Sequence, residues 1–147
     1  METSTHVDCK IFYVDDDRDD LELFKDAASM IGEEVCIFDL GELLIHALHN
    51  PPPFPTIVMV DLNMPTKSGF EVIGEIKEAK NLRNLPIIVY STASDLHSIL
   101  QCREMGVSMY IIKPTSMTEI RDAIQYVLEI NWSHHKVTER NFLYKKR

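Results

Sequence analysis

No stretch of this chain is apolar for long enough to cross a membrane. The apolar runs, Ile57-Val58-Met59-Val60 and Ile87-Ile88-Val89-Tyr90 among them, stop far short of the roughly 20 residues that a spanning helix needs. The N-terminus, METSTHVDCK, lacks the basic segment followed by an apolar one that marks a secretory signal. Cysteine is scarce. Cys9, Cys36 and Cys102 are odd in number and without metal-ligand spacing, so they read as buried small apolar residues of a reduced, cytoplasmic protein. Internal repeats and low-complexity segments are lacking too.

Positive charge is sparse over most of the 147 residues. Residues 131–147 hold Lys136, Arg140, Lys145, Lys146 and Arg147 against Glu139, a net +4, which leaves −12 on the rest of a chain whose total is −8. An acidic body argues against direct binding of nucleic acid by that body. The length suits one domain with a sizeable core. We expect that domain to span residues 1–130, followed by a basic, aromatic-containing tail over 131–147 without an effector domain. Trp132, Phe142, Leu143 and Tyr144 in that tail are candidates for docking.

What is present is a fivefold alternation of short apolar runs with helical periodicity. Strands are expected at 10–14, 34–38, 56–60, 86–90 and 108–112. Helices are expected at 17–31, 40–49, 70–79, 95–105 and 116–130. Leu21, Phe24, Ala28 and Ile31 line one helical face, and Ile120, Ala123, Ile124, Val127 and Leu128 line another. Gly32 and Gly106 act as stops, Pro51-Pro52-Pro53 forbids continuation of the second helix, and Ser116 with Glu119 reads as a capping box. Strand and helix in strict alternation argue an α/β fold, a doubly wound parallel five-stranded sheet with helices on both faces.

In such a sheet the loops leaving the carboxyl ends of the strands share one edge. Here those loops carry Asp15-Asp16-Asp17, then Asp61-Leu62-Asn63, then Ser91-Thr92, then Lys113-Pro114. Asp15, Asp16 and Asp61 placed together repel one another, and a divalent cation relieves that; hard oxygen ligands with room for water suit Mg²⁺. Asp17, Asp19 and Asp20 lie at or inside the first turn of a helix. There the macrodipole favours negative charge, so they are not expected to be ligands. Beside the cation, the Lys113 ammonium and the Ser91 hydroxyl suit a phosphoryl group. Asp61 follows the middle strand, between the acid pair and the Ser/Lys side, and is placed to act as the nucleophile.

The segments "VDD", "VDLNMPTKSG", "PIIVYST" and "YIIKP" together resemble the receiver domain of two-component response regulators, over about residues 8–130. The resemblance implies a flavodoxin-like (βα)5 fold with strand order 2-1-3-4-5. It implies that Asp61 is phosphorylated by a sensor histidine kinase or a phosphotransfer protein. Asp16 matches the direct Mg²⁺ ligand, Asp15 the acid acting through water, and Asn63 the position whose backbone carbonyl completes the metal sphere. The Asn63 side chain and Ala93 match positions that tune hydrolysis. Ser91, with Thr92 after it, matches the switch hydroxyl, and Lys113 the family's lysine. Tyr110 matches the aromatic that turns from a solvent-facing to an inward rotamer, and Pro114 a position that commonly follows a cis bond. The output face is then the fourth helix, fifth strand and fifth helix.

Two departures stand out: Ser91 occupies a position more often Thr, and the segment GELLIHALHNPPPFP is longer and richer in proline than a minimal second helix and loop. It is similar in this, and in its tail, to stand-alone receivers that serve phytochrome-type kinases, some of which dimerise. A haloacid-dehalogenase-type phosphohydrolase also uses Asp, Ser/Thr, Lys and Mg²⁺, but wants a D-x-D pair where this chain has Asp61-Leu62-Asn63. The expectation is a signalling protein whose only chemistry is its own phosphorylation and dephosphorylation. It would be cytoplasmic, without membrane insertion or direct nucleic-acid contact, and able to form a homodimer.

Overall fold

The computed structural model describes residues 9–50 and 57–145. Its strands are β1 (Ile11–Val14), β2 (Val35–Phe38), β3 (Ile57–Val60), β4 (Ile87–Ser91) and β5 (Met109–Ile112). Its helices are α1 (Arg18–Ser29), α2 (Gly41–His49), α3 (Gly69–Glu78), α4 (Leu96–Glu104) and α5 (Met117–Glu129). The proline run at 51–53 and the basic pair at 146–147 lie outside the described residues. Among the described residues, no helix is long and apolar enough to cross a membrane.

The five strands pair in parallel in the order β2-β1-β3-β4-β5. Side chains alternate across the sheet. Phe12, Val14, Val58 and Val60 face α2, α3 and α4, through Leu44, Leu48, Val72, Ile76 and Cys102. Ile11, Tyr13, Ile57 and Met59 face α1 and α5, through Leu21, Phe24, Ile120, Ile124 and Val127. With both faces covered, β1, β3 and β4 are buried at every position. Such strands read as unbroken apolar runs rather than alternating ones.

Among the side-chain caps, Ser116 stands as expected, Asp95 where the periodicity placed it inside the helix, and Ser68 just ahead of α3. Asp95 accepts from the Ser98 N–H and Ser116 from the Glu119 N–H. Ser68 and Glu71 form a reciprocal capping box at the start of α3. Each cap satisfies donors that the first helical turn leaves free.

One expectation is corrected here. Cys9 and Cys36 are joined in a disulfide, with Cα atoms 6.0 Å apart. Parallel pairing of β1 with β2 brings Phe12 opposite Cys36 and the approach to β1 alongside β2. Cys102 alone matches the free, buried thiol expected of all three. Of the tail residues named as docking candidates, Phe142, Leu143 and Tyr144 meet the sheet at its outer strand. Tyr110 in β5 donates its N–H to the Phe142 carbonyl at 2.8 Å and accepts from the Tyr144 N–H at 2.8 Å. This isolated parallel bridge, Tyr110 opposite Leu143, lays the tail along the outer edge of β5. Phe142 is buried there, and Tyr144 meets the ring of Tyr126 on α5.

Candidate functional site

Parallel strands end at one rim, and backbone hydrogen bonds carry the sheet just past those ends. The Asp15 N–H donates to Phe38 and the Asp61 N–H to Val14, each at 3.1 Å, while the Lys113 N–H donates to Ser91 at 2.9 Å. Residues remote in sequence are thereby fixed side by side. The loop after β3 is folded tightly. Gly69 donates its N–H to the Leu62 carbonyl at 3.0 Å. A Cβ on Gly69 would run into the Asp61 carbonyl oxygen and lie 2.7 Å from the Leu62 Cα.

At this rim Asp15, Asp16 and Asp61 each offer a carboxylate oxygen within 4.8 Å of the others, an arrangement that could hold a metal ion. Asp15 and Asp61 are buried, and Asp16 is open to solvent. Three hard oxygens with one side exposed fit a cation that keeps part of its water. Asn63 sits beside them with its side chain exposed.

The Lys113 ammonium reaches into the same cluster. Nζ lies 2.6 Å from Asp15 Oδ2, 2.7 Å from Asp20 Oδ2 and 3.7 Å from Asp61 Oδ1. Burial pushes the Lys113 pKa down, but the hydrogen bonds it donates to Asp15 and Asp20 outweigh it and the group stays above its ordinary value. Asp61 goes the other way for a carboxyl. Burial and the neighbouring Asp15 charge push it up to about 6, against the opposing pull of Lys113 and the Ser91 hydroxyl. A carboxylate kept costly to ionise in this way gains from any cation added beside it.

Ser91 is fully buried, and its hydroxyl accepts from the Ala93 N–H at 3.2 Å. Thr92 after it is exposed. The Tyr110 hydroxyl donates to the Ala93 carbonyl at 2.7 Å, and the ring is fully buried. The solvent-facing rotamer expected for the resting state is therefore not the one seen. The tail over β5 covers this tyrosine. Pro114 is half-buried beside Lys113. The bond before it is trans, as are all described peptide bonds, where the resemblance implied a cis bond.

Two residues here were not singled out from the sequence. The Tyr13 hydroxyl donates to Asp15 Oδ2. Residues 13 and 15 share a side of an extended strand, so the spacing alone carried that signal. Asp20 holds Lys113. It was read only as a first-turn acid, a role in which Asp17 serves as the cap, accepting from the Asp19 and Asp20 N–H groups.

Comparison with known proteins agrees with this geometry. A sequence profile of the response regulator receiver domain matches residues 11–125. The response regulator Rcp1 of Synechocystis sp. is 27% identical over 122 residues, 78% of this chain and 83% of Rcp1. The chain spans about half the length, or less, of several other curated relatives. The phosphorylated cyanobacterial phytochrome response regulator RcpA is 27% identical and superimposes with a TM-score of 0.73, over 86% of this chain and 94% of its own. The Mn²⁺-bound form of Rcp1, at 23% identity, shares the fold with a TM-score of 0.70, over 87% of this chain and 97% of its own. The phosphohydrolase alternative gains no support, since position 63 is Asn and supplies no second acid. The chain belongs to the response regulator family and is a receiver domain with a phosphorylatable, aspartate-rich pocket.

Proposed function

We propose that Asp61 is the phosphoacceptor of a signalling switch, supplied by a sensor histidine kinase or a phosphotransfer protein. The observation that carries this is that one buried carboxylate, Asp61, shares a cluster with Asp15 and Asp16 and has Lys113 Nζ at 3.7 Å. An Asp61 oxygen forms a bond to phosphorus as the donor's nitrogen–phosphorus bond breaks, and the donor imidazole leaves with the electron pair and takes a proton. Lys113 balances charge on the phosphoryl oxygens, and the Ser91 hydroxyl donates to one of them. Mg²⁺ held by Asp16, Asp61 and the Asn63 carbonyl, with Asp15 acting through water, would neutralise charge on donor and acceptor alike.

Output then follows a short chain of contacts. Turning Ser91 toward the phosphoryl group draws its oxygen away from the Ala93 N–H, to which it is now bonded. The Ala93 carbonyl is the acceptor for Tyr110, and Tyr110 carries the tail on its backbone. The α4–β5–α5 face changes shape as these contacts shift. Leu96, Leu100 and Ile112 on that face are exposed apolar residues, which suits a protein partner or a second copy of the chain. The chemistry is confined to the protein's own phosphorylation and dephosphorylation. The setting is cytoplasmic because that is where a receiver meets its kinase, the Cys9–Cys36 disulfide having removed the support from reduced cysteines, and it involves no direct nucleic-acid contact or membrane insertion.

The test is labelling with acetyl phosphate and Mg²⁺. The wild type takes up acid-labile phosphate in a 1:1 ratio at most, and Asp61→Asn takes up none. Labelling of Asp61→Asn at the wild-type rate removes Asp61 from the role. Continuous release of phosphate from p-nitrophenyl phosphate would return the phosphohydrolase reading.

A further inference from the structure

Lys113 is shared unequally. Its ammonium has three protons to donate. Two short contacts go to Asp15 at 2.6 Å and Asp20 at 2.7 Å, while the Asp61 oxygen is left at 3.7 Å. The contact with Asp20 spans 93 positions of sequence, tying the first turn of α1 to the end of β5. The lysine side chain is 9% exposed and that of Asp20 30% exposed, so the pair is only partly screened by water.

Neither simpler role explains that contact. Asp19 occupies the same helical turn and brings the same charge to the dipole, yet it does not reach Lys113. Nor is Asp20 one of the three carboxylates gathered for a cation.

We infer that Asp20 is a positioning residue acting through Lys113, one that holds the ammonium toward α1 and away from Asp61 until a phosphoryl group competes for it. The inference rests on the reading of Asp61 as the phosphoacceptor. Two effects of Asp20 have the same sign. It withholds part of the lysine's charge from Asp61, and its own negative charge repels an incoming anion. Both weaken retention of a phosphoryl group, so neutralising Asp20 strengthens it. Asp20 thereby sets how long the switch stays on, without touching the reacting atoms.

Beryllofluoride, a tetrahedral phosphoryl mimic, gives the test on the full chain at saturating Mg²⁺, read by ¹⁹F NMR. Asp20→Asn should bind it roughly three- to tenfold more tightly than wild type. It should also shift the resonance of the fluorine facing Lys113, a signature that a purely structural change would not single out. Asp19→Asn makes the same change in net charge and should leave both affinity and resonance as in wild type. Asp20→Glu keeps the charge and should restore wild-type affinity. Equal or weaker binding by Asp20→Asn overturns the inference, as does an equal gain in Asp19→Asn. Asp61→Asn is run in parallel: if it binds beryllofluoride as wild type does, the phosphoacceptor reading itself has failed, and this inference with it.

Discussion

Tyr110 and Leu143 face one another in a parallel bridge, so the outer edge of β5 is closed by the chain's own tail. An open strand edge is a template for pairing with other chains, and covering it is a common remedy. The cover here has apolar substance. Phe142 is 3% exposed and packs into the cluster that holds Val107, Cys102 and Tyr110. Thr138 and Asn141 hold the approach, each accepting from the other's backbone N–H.

Phe142→Ala should therefore destabilise the domain by about 3–5 kcal/mol, the usual cost of emptying a buried aromatic site. Urea denaturation measures it. Hydrogen exchange gives a local check, because the Tyr110 amide is protected only while the Phe142 carbonyl accepts from it. A loss under about 1 kcal/mol, with that amide still protected, would mean that the tail is not part of the folded domain.

The buried charge of Asp61 predicts a gain from removing it. Its carboxyl goes from 3.8 in the unfolded chain to about 6 in the fold. Between those values the native state binds more protons than the unfolded state. Without metal, stability thus falls as pH rises from about 4 through 6 and levels off above. In EDTA at pH 7.5, Asp61→Asn should be the more stable protein, by at most about 3 kcal/mol. The difference should close below pH 4 and shrink at pH 7.5 when Mg²⁺ is added. Thermal melts across that range measure it; a wild type more stable than Asp61→Asn in EDTA refutes the claim.

The sheet and the rim were legible in the sequence for one reason. Strands buried on both faces are plain apolar runs, and in a parallel sheet the residues after them must meet. The start of α4 was misplaced by a residue where the cap Asp95 continues the polar pattern of the first turn, whereas Ser116 was legible as the cap of α5. Asp20 was legible only as a first-turn acid, because its reach to Lys113 depends on how α1 lies across the sheet. The Cys9–Cys36 pairing depends on strand neighbours, which spacing alone does not reveal. The tail makes a bridge of one residue, too short for any period to show. Tyr110 was expected to face solvent because the resemblance implied that rotamer; Phe142 and Leu143 were read only as docking candidates, and no spacing says that β5 is where they dock.

Gly69 predicts a coupling between fold and chemistry. The atoms that a Cβ would strike belong to the backbone of Asp61 and Leu62, and backbone cannot turn aside as a side chain can. Gly69→Ala should cost about 1–3 kcal/mol and slow labelling by acetyl phosphate, since the displaced carbonyl is that of the acceptor. Gly74→Ala serves as the control, because nothing lies within 4 Å of a Cβ there. It should be neutral or slightly stabilising, as for an alanine in a helix. Equal labelling rates for the two variants would show that the loop tolerates the shift.

Cation binding gives the last prediction, and the structure says how to see it. Trp132, the chain's one tryptophan, donates its indole N–H to the Val127 carbonyl and lines a cavity with Lys10 and Ile57. Those residues lie at the start of β1 and β3, whereas the carboxylates lie past the ends. Four strand residues put about 13 Å between the two levels, so tryptophan emission should stay nearly constant during a Mg²⁺ titration. Amide shifts at Asp16 and Asp61, or calorimetry, should report it. Asp16 is exposed, so Asp16→Asn removes a ligand with little cost to folding. It should weaken Mg²⁺ roughly tenfold or more, as loss of one charged oxygen from a three-carboxylate site implies. Asp19→Asn, with the same change in charge but outside the cluster, should weaken it far less. If the two variants bind Mg²⁺ alike, the acidic residues act only as a diffuse field, and Asp16 is not a ligand.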